Sequence, residues 1–140
     1  MNGATQEVIE RVKNLINEND RLISLFGMKI EKVEPGSAVV SMKVKEEHLN
    51  AARLCHGATI YALADVAFAL ACNSHGRQAL ALEVGINYLR PAKLGEELRA
   101  VAEEENLGNT TGVYCIRVFN QEGKKVAFLK ATAYRFERSL

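Results

Sequence analysis

The stretch GATIYALADVAFALACNS, residues 57–74, carries small or apolar side chains at nearly every position and a single carboxylate, Asp65, in its middle. At about 100° per residue, Ile60, Leu63, Ala64, Ala67, Leu70 and Ala71 share one face, which suits packing against a sheet. Ala58, Tyr61, Ala62, Asp65, Phe68, Ala69 and Cys72 share the other. That second face is nearly as apolar, and a helix apolar all round is buried all round. The segment is too short and too rich in Ala to span a bilayer, and Asp65 would sit near the bilayer's middle. It therefore reads as a core helix that needs cover on two sides.

The rest of the chain supplies the cover. Residues 5–20 place Val8, Ile9, Val12, Leu15 and Ile16 at helical spacing among charges, an amphipathic surface helix. Residues 28–44 alternate on either side of Glu34-Pro35-Gly36-Ser37 and read as a hairpin, followed by a polar loop over 45–53. Strands are expected over 79–90, with Leu80, Leu82, Val84, Ile86 and Tyr88 on one face, and over 95–105, 111–120 and 125–136, separated by turn compositions. The order α-β-β-α-β-β-β-β describes an α+β fold, one helix surrounded by a largely antiparallel sheet. At 140 residues the chain fits a single domain, 1–140, with 1–20 as its N-terminal helix.

One curved sheet covers one side of the central helix, and one narrow amphipathic helix is left for the other. A second copy of the chain is the expected remaining cover, which makes a homodimer with these helices near its interface. The 18 basic and 17 acidic residues give a net charge of +1, so no electrostatic footprint argues for nucleic acid or an anionic membrane. Three cysteines and a polar N-terminal region without a signal peptide's apolar core suggest a cytoplasmic protein with reduced thiols.

At such an interface, loss of hydration raises a carboxyl pKa and suits Asp65 to act as general base or nucleophile. A buried acid satisfied by a Tyr, Ser or backbone donor is the equal alternative. His56-Gly57 opens the helix, where unpaired N–H groups and the positive end of the dipole can polarise a carbonyl. An ordinary helix-start glycine is the plainer reading. Gly57 and Asp65 lie eight residues apart, about 12 Å along one helix, whereas reacting atoms must approach within about 3–3.5 Å. One chain's Asp65 cannot reach its own helix start, but antiparallel helices across a two-fold axis would bring it to the partner's. Cys55-His56 lacks a third orienting group for thiol catalysis, and Cys72 with His75 lacks a second ligand pair, so no metal site is expected.

The combination Asn50-(x5)-His56-Gly57-(x7)-Asp65, with Asn73-Ser74-His75-Gly76 and Tyr88-Leu89-Arg90-Pro91-Ala92, resembles the hotdog-fold acyl-CoA thioesterases of the phenylacetate-degradation (PaaI-like) type over roughly residues 24–136. The resemblance implies a long helix wrapped by an antiparallel sheet, assembled into dimers and often tetramers, that hydrolyses a coenzyme A thioester across the dimer interface without a metal. It implies no cofactor beyond the coenzyme A of the substrate and product. By position, Gly57 N–H would polarise the thioester carbonyl and the partner's Asp65 would attack it or activate water. Asn50 would orient the carboxylate or water, and His56 would lie near the sulfur.

Coenzyme A would lie on Tyr88, Leu89, Arg90, Pro91, Ala92 and Lys93, on the turn of Asn106, Leu107, Gly108, Asn109, Thr110 and Thr111, and on Arg135. Solvated turn residues that bind nothing are the alternative for each. Two departures stand out. The usual His-Gly-Gly is His56-Gly57-Ala58 here, and the position where many members place a water-holding Ser or Thr is Ala81. Aryl-acetyl and medium-chain acyl groups both suit, depending on how Tyr61, Phe68 and Glu83 pack. A non-catalytic acyl-CoA-binding module is the rival function. A hydratase would need an acid–base arrangement at other positions, which is not found.

Overall fold

In the computed structural model, which describes residues 2–140, the chain runs α1 (Gly3–Asn19), α2 (Arg21–Phe26), β1 (Met28–Glu34), β2 (Ser37–Lys43), α3 (Gly57–Asn73), β3 (Arg77–Tyr88), β4 (Glu97–Leu107), β5 (Thr111–Phe119) and β6 (Lys125–Ser139). A 3-10 turn, Glu46–His48, lies between β2 and α3. The strands form one antiparallel sheet in the order β1-β2-β4-β5-β6-β3, which curls around α3 as the hotdog fold requires. Small residues on the concave face make room for the helix. Ala100 and Ala102 of β4 and Ala127, Ala131 and Ala133 of β6 are all buried. The sheet-facing side of α3 is buried throughout, and Leu63 and Leu70, with no exposed surface, each contribute about 2 kcal/mol of transfer free energy.

The opposite side is partly covered within the chain. Ala62, Phe68 and Cys72 are buried, while Ala58 is exposed and Tyr61, Asp65 and Ala69 are half-buried. Part of the cover is the sheet itself, where Phe68 meets Tyr114 of β5 edge to face at 5.5 Å, and part comes from α1 and α2, which both contact α3 and bury Ile9, Val12 and Ile23. Periodicity did not reveal α2, because six residues are too few to establish a stripe. Its boundaries are nonetheless marked by Asp20, whose side chain accepts from Leu22 N, and by Gly27 in the left-handed conformation.

α1 packs antiparallel to α3. Gly76, just beyond α3 with φ +88°, leaves only 2.9 Å between a built Cβ and Val8 Cγ1, so a side chain there would push α1 away. Asn73 fixes where β3 leaves the helix. Its Nδ2 donates to Ala69 O (2.9 Å) and Ala79 O (3.1 Å), and its Oδ1 accepts from Ala79 N (2.8 Å). Asn73→Ala strands these buried backbone groups, and we expect a loss of about 2–4 kcal/mol, measured as a lower urea midpoint at unchanged m-value.

One strand departs from the alternation expected for it. A register shift between Ala81 and Glu83 inserts Leu82 as a bulge, which reverses the facing of the residues before it. Ala81 therefore pairs with buried Ala133, and Leu80 pairs with Tyr134. Leu80 and Leu82 are left 54% and 62% exposed on β3, which is an outer strand of the sheet.

Candidate active site

The loop before α3 is fixed by side chains that hold its backbone. Buried His48 accepts from Lys45 N at Nδ1 (2.9 Å), which leaves Nε2–H to donate to Phe26 O (3.0 Å). Its own carbonyl accepts from His56 N (2.7 Å). Asn50 Oδ1 accepts from Ala52 N (2.9 Å) and Leu54 N (3.1 Å). Arg53, with φ 63°, pairs with Glu46 at 2.9 Å. His56 caps the helix, with Nδ1 accepting from Ala58 N (3.1 Å). Gly57 N–H, one step earlier, has no acceptor among the described residues, so the helix presents one free donor at its positive end.

Tyr88 closes over this point. Its OH donates to Gly57 O (3.0 Å), and a Cβ on Gly57 would lie 3.1 Å from Tyr88 Cζ. That close approach is by itself a packing reason for glycine at this position. Asn50, Gly57, Tyr88, Leu89, Arg90 and Pro91 line a shallow cavity of about 350 Å³.

Asp65 faces a different cavity, of about 450 Å³, together with Ile16, Phe68, Ala69, Cys72, Leu80 and Ala81. The carboxylate has no hydrogen-bond or ion-pair partner among the described residues, so within one chain the satisfied buried acid is not what is found. Burial pushes its pKa above the ordinary carboxylate range, and the charge of Asp20 adds to the effect. A reaction that needs the ionised form should show kcat/KM rising with pH through a midpoint above about 4, and Asp20→Asn should move that midpoint down. Asn50 lies with Gly57 rather than with Asp65 of its own chain. Glu83 is exposed opposite Thr132 and lines neither cavity.

The expected coenzyme A surface divides in two. Arg135 Nη1 donates to Gly108 O (2.7 Å), Arg135 N donates to Thr110 O (2.8 Å), and Arg77 Nη2 reaches Asn109 O (3.0 Å). Asn106 and Leu107 end β4 and Thr111 begins β5, so the turn itself is shorter than 106–111. Arg90, Pro91 and Lys93 instead share a cavity with Asn120, Gln121 and Lys124. Tyr88 pairs with Ala127 on β6, eight residues before Arg135, so the two groups stand roughly 26 Å apart in one chain. Ala92 has no exposed surface, and its carbonyl accepts from Cys55 N (2.8 Å). It supports the surface from behind.

Burial pushes the Cys55 thiol up to about 11, which removes it as a thiolate nucleophile. His75 Nε2 lies 2.7 Å from Glu104 Oε1, while Cys72 faces the Asp65 cavity. Gln78 and Leu140 also line that cavity. No sequence signal marked either one, whereas Ile16 and Cys72 were visible as members of helical stripes.

Residues 53–127 match the family model described as the thioesterase superfamily. A protein of Archaeoglobus fulgidus is 50% identical over 129 residues, covering 92% of this chain and 84% of its own. The acyl-coenzyme A thioesterase PaaI of Escherichia coli is 42% identical over 118 residues, covering 84% of each chain. The solved structure of E. coli PaaI superposes with a TM-score of 0.92 at 37% identity, covering 95% of this chain and 96% of that one. A hypothetical thioesterase protein of Streptococcus pneumoniae, solved with coenzyme A, gives 0.77 at 32% identity, covering 81% and 91%.

Proposed function

Since the chain belongs to the thioesterase superfamily, we propose that it hydrolyses an acyl-CoA to the free acid and coenzyme A, at sites each shared by two copies of the chain. All 140 residues act as one hotdog unit in this reading, and no cofactor takes part. The supporting observation is the separation of Asp65 from Gly57. Each group faces its own cavity, Gly57 at the start of α3 and Asp65 at its middle.

A two-fold axis near Tyr61 on α3 and Gly85 on β3 reunites them. Tyr61 is midway between Gly57 and Asp65, and Gly85 is close to midway between Ala81 and Tyr88, which line the two cavities. Antiparallel pairing of two β3 edges about that axis satisfies their free backbone groups and covers exposed Leu82. It also sets the Arg90 end of one copy beside the Arg135 end of the other, so that the divided coenzyme A surface becomes continuous. A tetramer of two such dimers is the assembly we favour. Three unpaired cysteines suit the reducing cytoplasm as its location.

In the reaction, the thioester carbonyl accepts a hydrogen bond from Gly57 N–H as negative charge develops on its oxygen. His56 lies beside the sulfur, and Asn50 holds the loop and orients water. The partner's Asp65 either removes a proton from water as that water attacks, or attacks directly to form an anhydride that water then opens. In both routes the C–S bond breaks, and coenzyme A leaves as a thiolate that takes up a proton. Asp65 is in its attacking form only when ionised.

The decisive measurement is thiol release over a panel of CoA thioesters. Turnover of at least one at physiological concentration is expected. Retained CoA binding without turnover of any thioester would favour the non-catalytic module instead.

A further inference from the structure

The cavity beside Asp65 is a half-enclosed chamber in the single chain, and two residues distant in sequence, Ile16 and Leu140, help to wall it. We propose that this chamber receives the acyl group, and that Ile16 above it and Leu140 at its end set the longest chain it accepts. The proposal rests on the thioesterase reading and adds the substrate's acyl class: an apolar chain or ring no longer than the chamber.

Direction comes from α3. Asp65, Ala69, Cys72 and Asn73 line the chamber in succession, so it runs from the carboxylate toward the helix's C-terminal end. Asp65 and Asn73 are eight residues apart, which sets a depth of about 12 Å. Closure comes from Leu140. Its N–H donates to Gly76 O (3.1 Å), which ties it beyond the end of α3 and places it opposite the entrance at Asp65. Gln78, beside it, is held by Arg138 Nε at 2.6 Å. Ile16 lies on α1, eight residues after Val8 at the Gly76 end, and so reaches back over the middle of the chamber.

The lining decides the chemistry. Ile16, Phe68, Ala69, Leu80, Ala81 and Leu140 are apolar, and both amide hydrogens of Asn73 are engaged by backbone carbonyls. Among the described residues of one chain no cation lines the chamber, so an acyl group ending in a carboxylate would find no counter-charge from it and would also face Asp65. The volume of about 450 Å³ is within the range of small-ligand pockets. An extended carbon chain gains roughly 1.2 Å per bond, so this depth accommodates about eight to ten carbons.

The test measures binding and turnover along a straight-chain series from butyryl- through octanoyl- and dodecanoyl- to hexadecanoyl-CoA. Binding is read with the non-hydrolysable thioether analogues, so it is independent of catalysis. In the wild type, affinity should rise about fourfold per methylene up to octanoyl or decanoyl and then stop rising. In Leu140→Ala and Ile16→Ala the rise should continue to dodecanoyl, increasing the dodecanoyl-to-butyryl ratio about tenfold. Ala69→Leu, which fills the chamber, should move the limit to shorter chains. A gain on long substrates cannot come from misfolding, so it supports the chamber directly. An identical length limit in all four proteins would overturn the proposal. Failure of the wild type to release thiol from any member, with the length limit still shifting, would remove the thioesterase reading and leave the chamber in place.

Discussion

Asp65→Asn is expected to lower thiol release by about 10³-fold while CoA binding, which we assign to the 88–93 turn and Arg135, is kept. The same substitution should stabilise the protein. Burial, and then Asp20, hold the Asp65 pKa in the folded chain above its unfolded value. A group raised in this way favours folding only below its unfolded pKa, and that contribution is lost as pH rises through the folded value. At neutral pH the ionised carboxylate is therefore a cost to the fold, and Asn does not carry it. The expected gain in Tm is about 2–4 °C at pH 7, shrinking to nothing below about pH 4. Thermal melts of both proteins across that range check the sign. A variant that is both fully active and less stable would show that Asp65 serves structure alone.

The second large effect is a recovery. Gly57→Ala would place a methyl 3.1 Å from Tyr88 Cζ, displacing the ring and obstructing approach to the helix start, and should cost about 10²-fold. Mixing this inactive protein with Asp65→Asn, followed by subunit exchange, should restore about a quarter of the wild-type rate. Random pairing makes half of the dimers mixed, and each mixed dimer holds one intact site. Native mass spectrometry establishes the exchange. Exchange without recovered activity would place both groups in the same chain's site, despite the helix length between them.

Much of this arrangement is legible from residues 57–74. All six residues assigned to the sheet face are buried, because helical period alone determines which side chains meet the larger apolar surface. The other face was legible only in part. Ala62, Phe68 and Cys72 are buried within the single chain, Phe68 edge to face against Tyr114 of β5, and what remains accessible is the narrower stripe of Ala58, Tyr61, Asp65 and Ala69. The bulge at Leu82 could not be read, since larger apolar residues continue to recur at every second position through it and only the pairing with β6 reveals the extra residue. Leu140 and Gln78 were equally silent, because their place in the chamber depends on where the last strand ends relative to α3. His48 sat in a polar loop that suggested nothing. Its role emerges from three backbone groups that meet it only in the folded chain.

The outer strand β3 has a further consequence. It is twelve residues long, carries exposed leucines and offers backbone groups that a neighbour can pair. In the proposed dimer, a fold completed by that neighbour has no fixed stability of its own, since mass action couples folding to the amount of protein present. Specific activity measured at increasing dilution should therefore fall in step with dissociation, so that the working enzyme's midpoint of unfolding becomes a property of the solution as much as of the sequence.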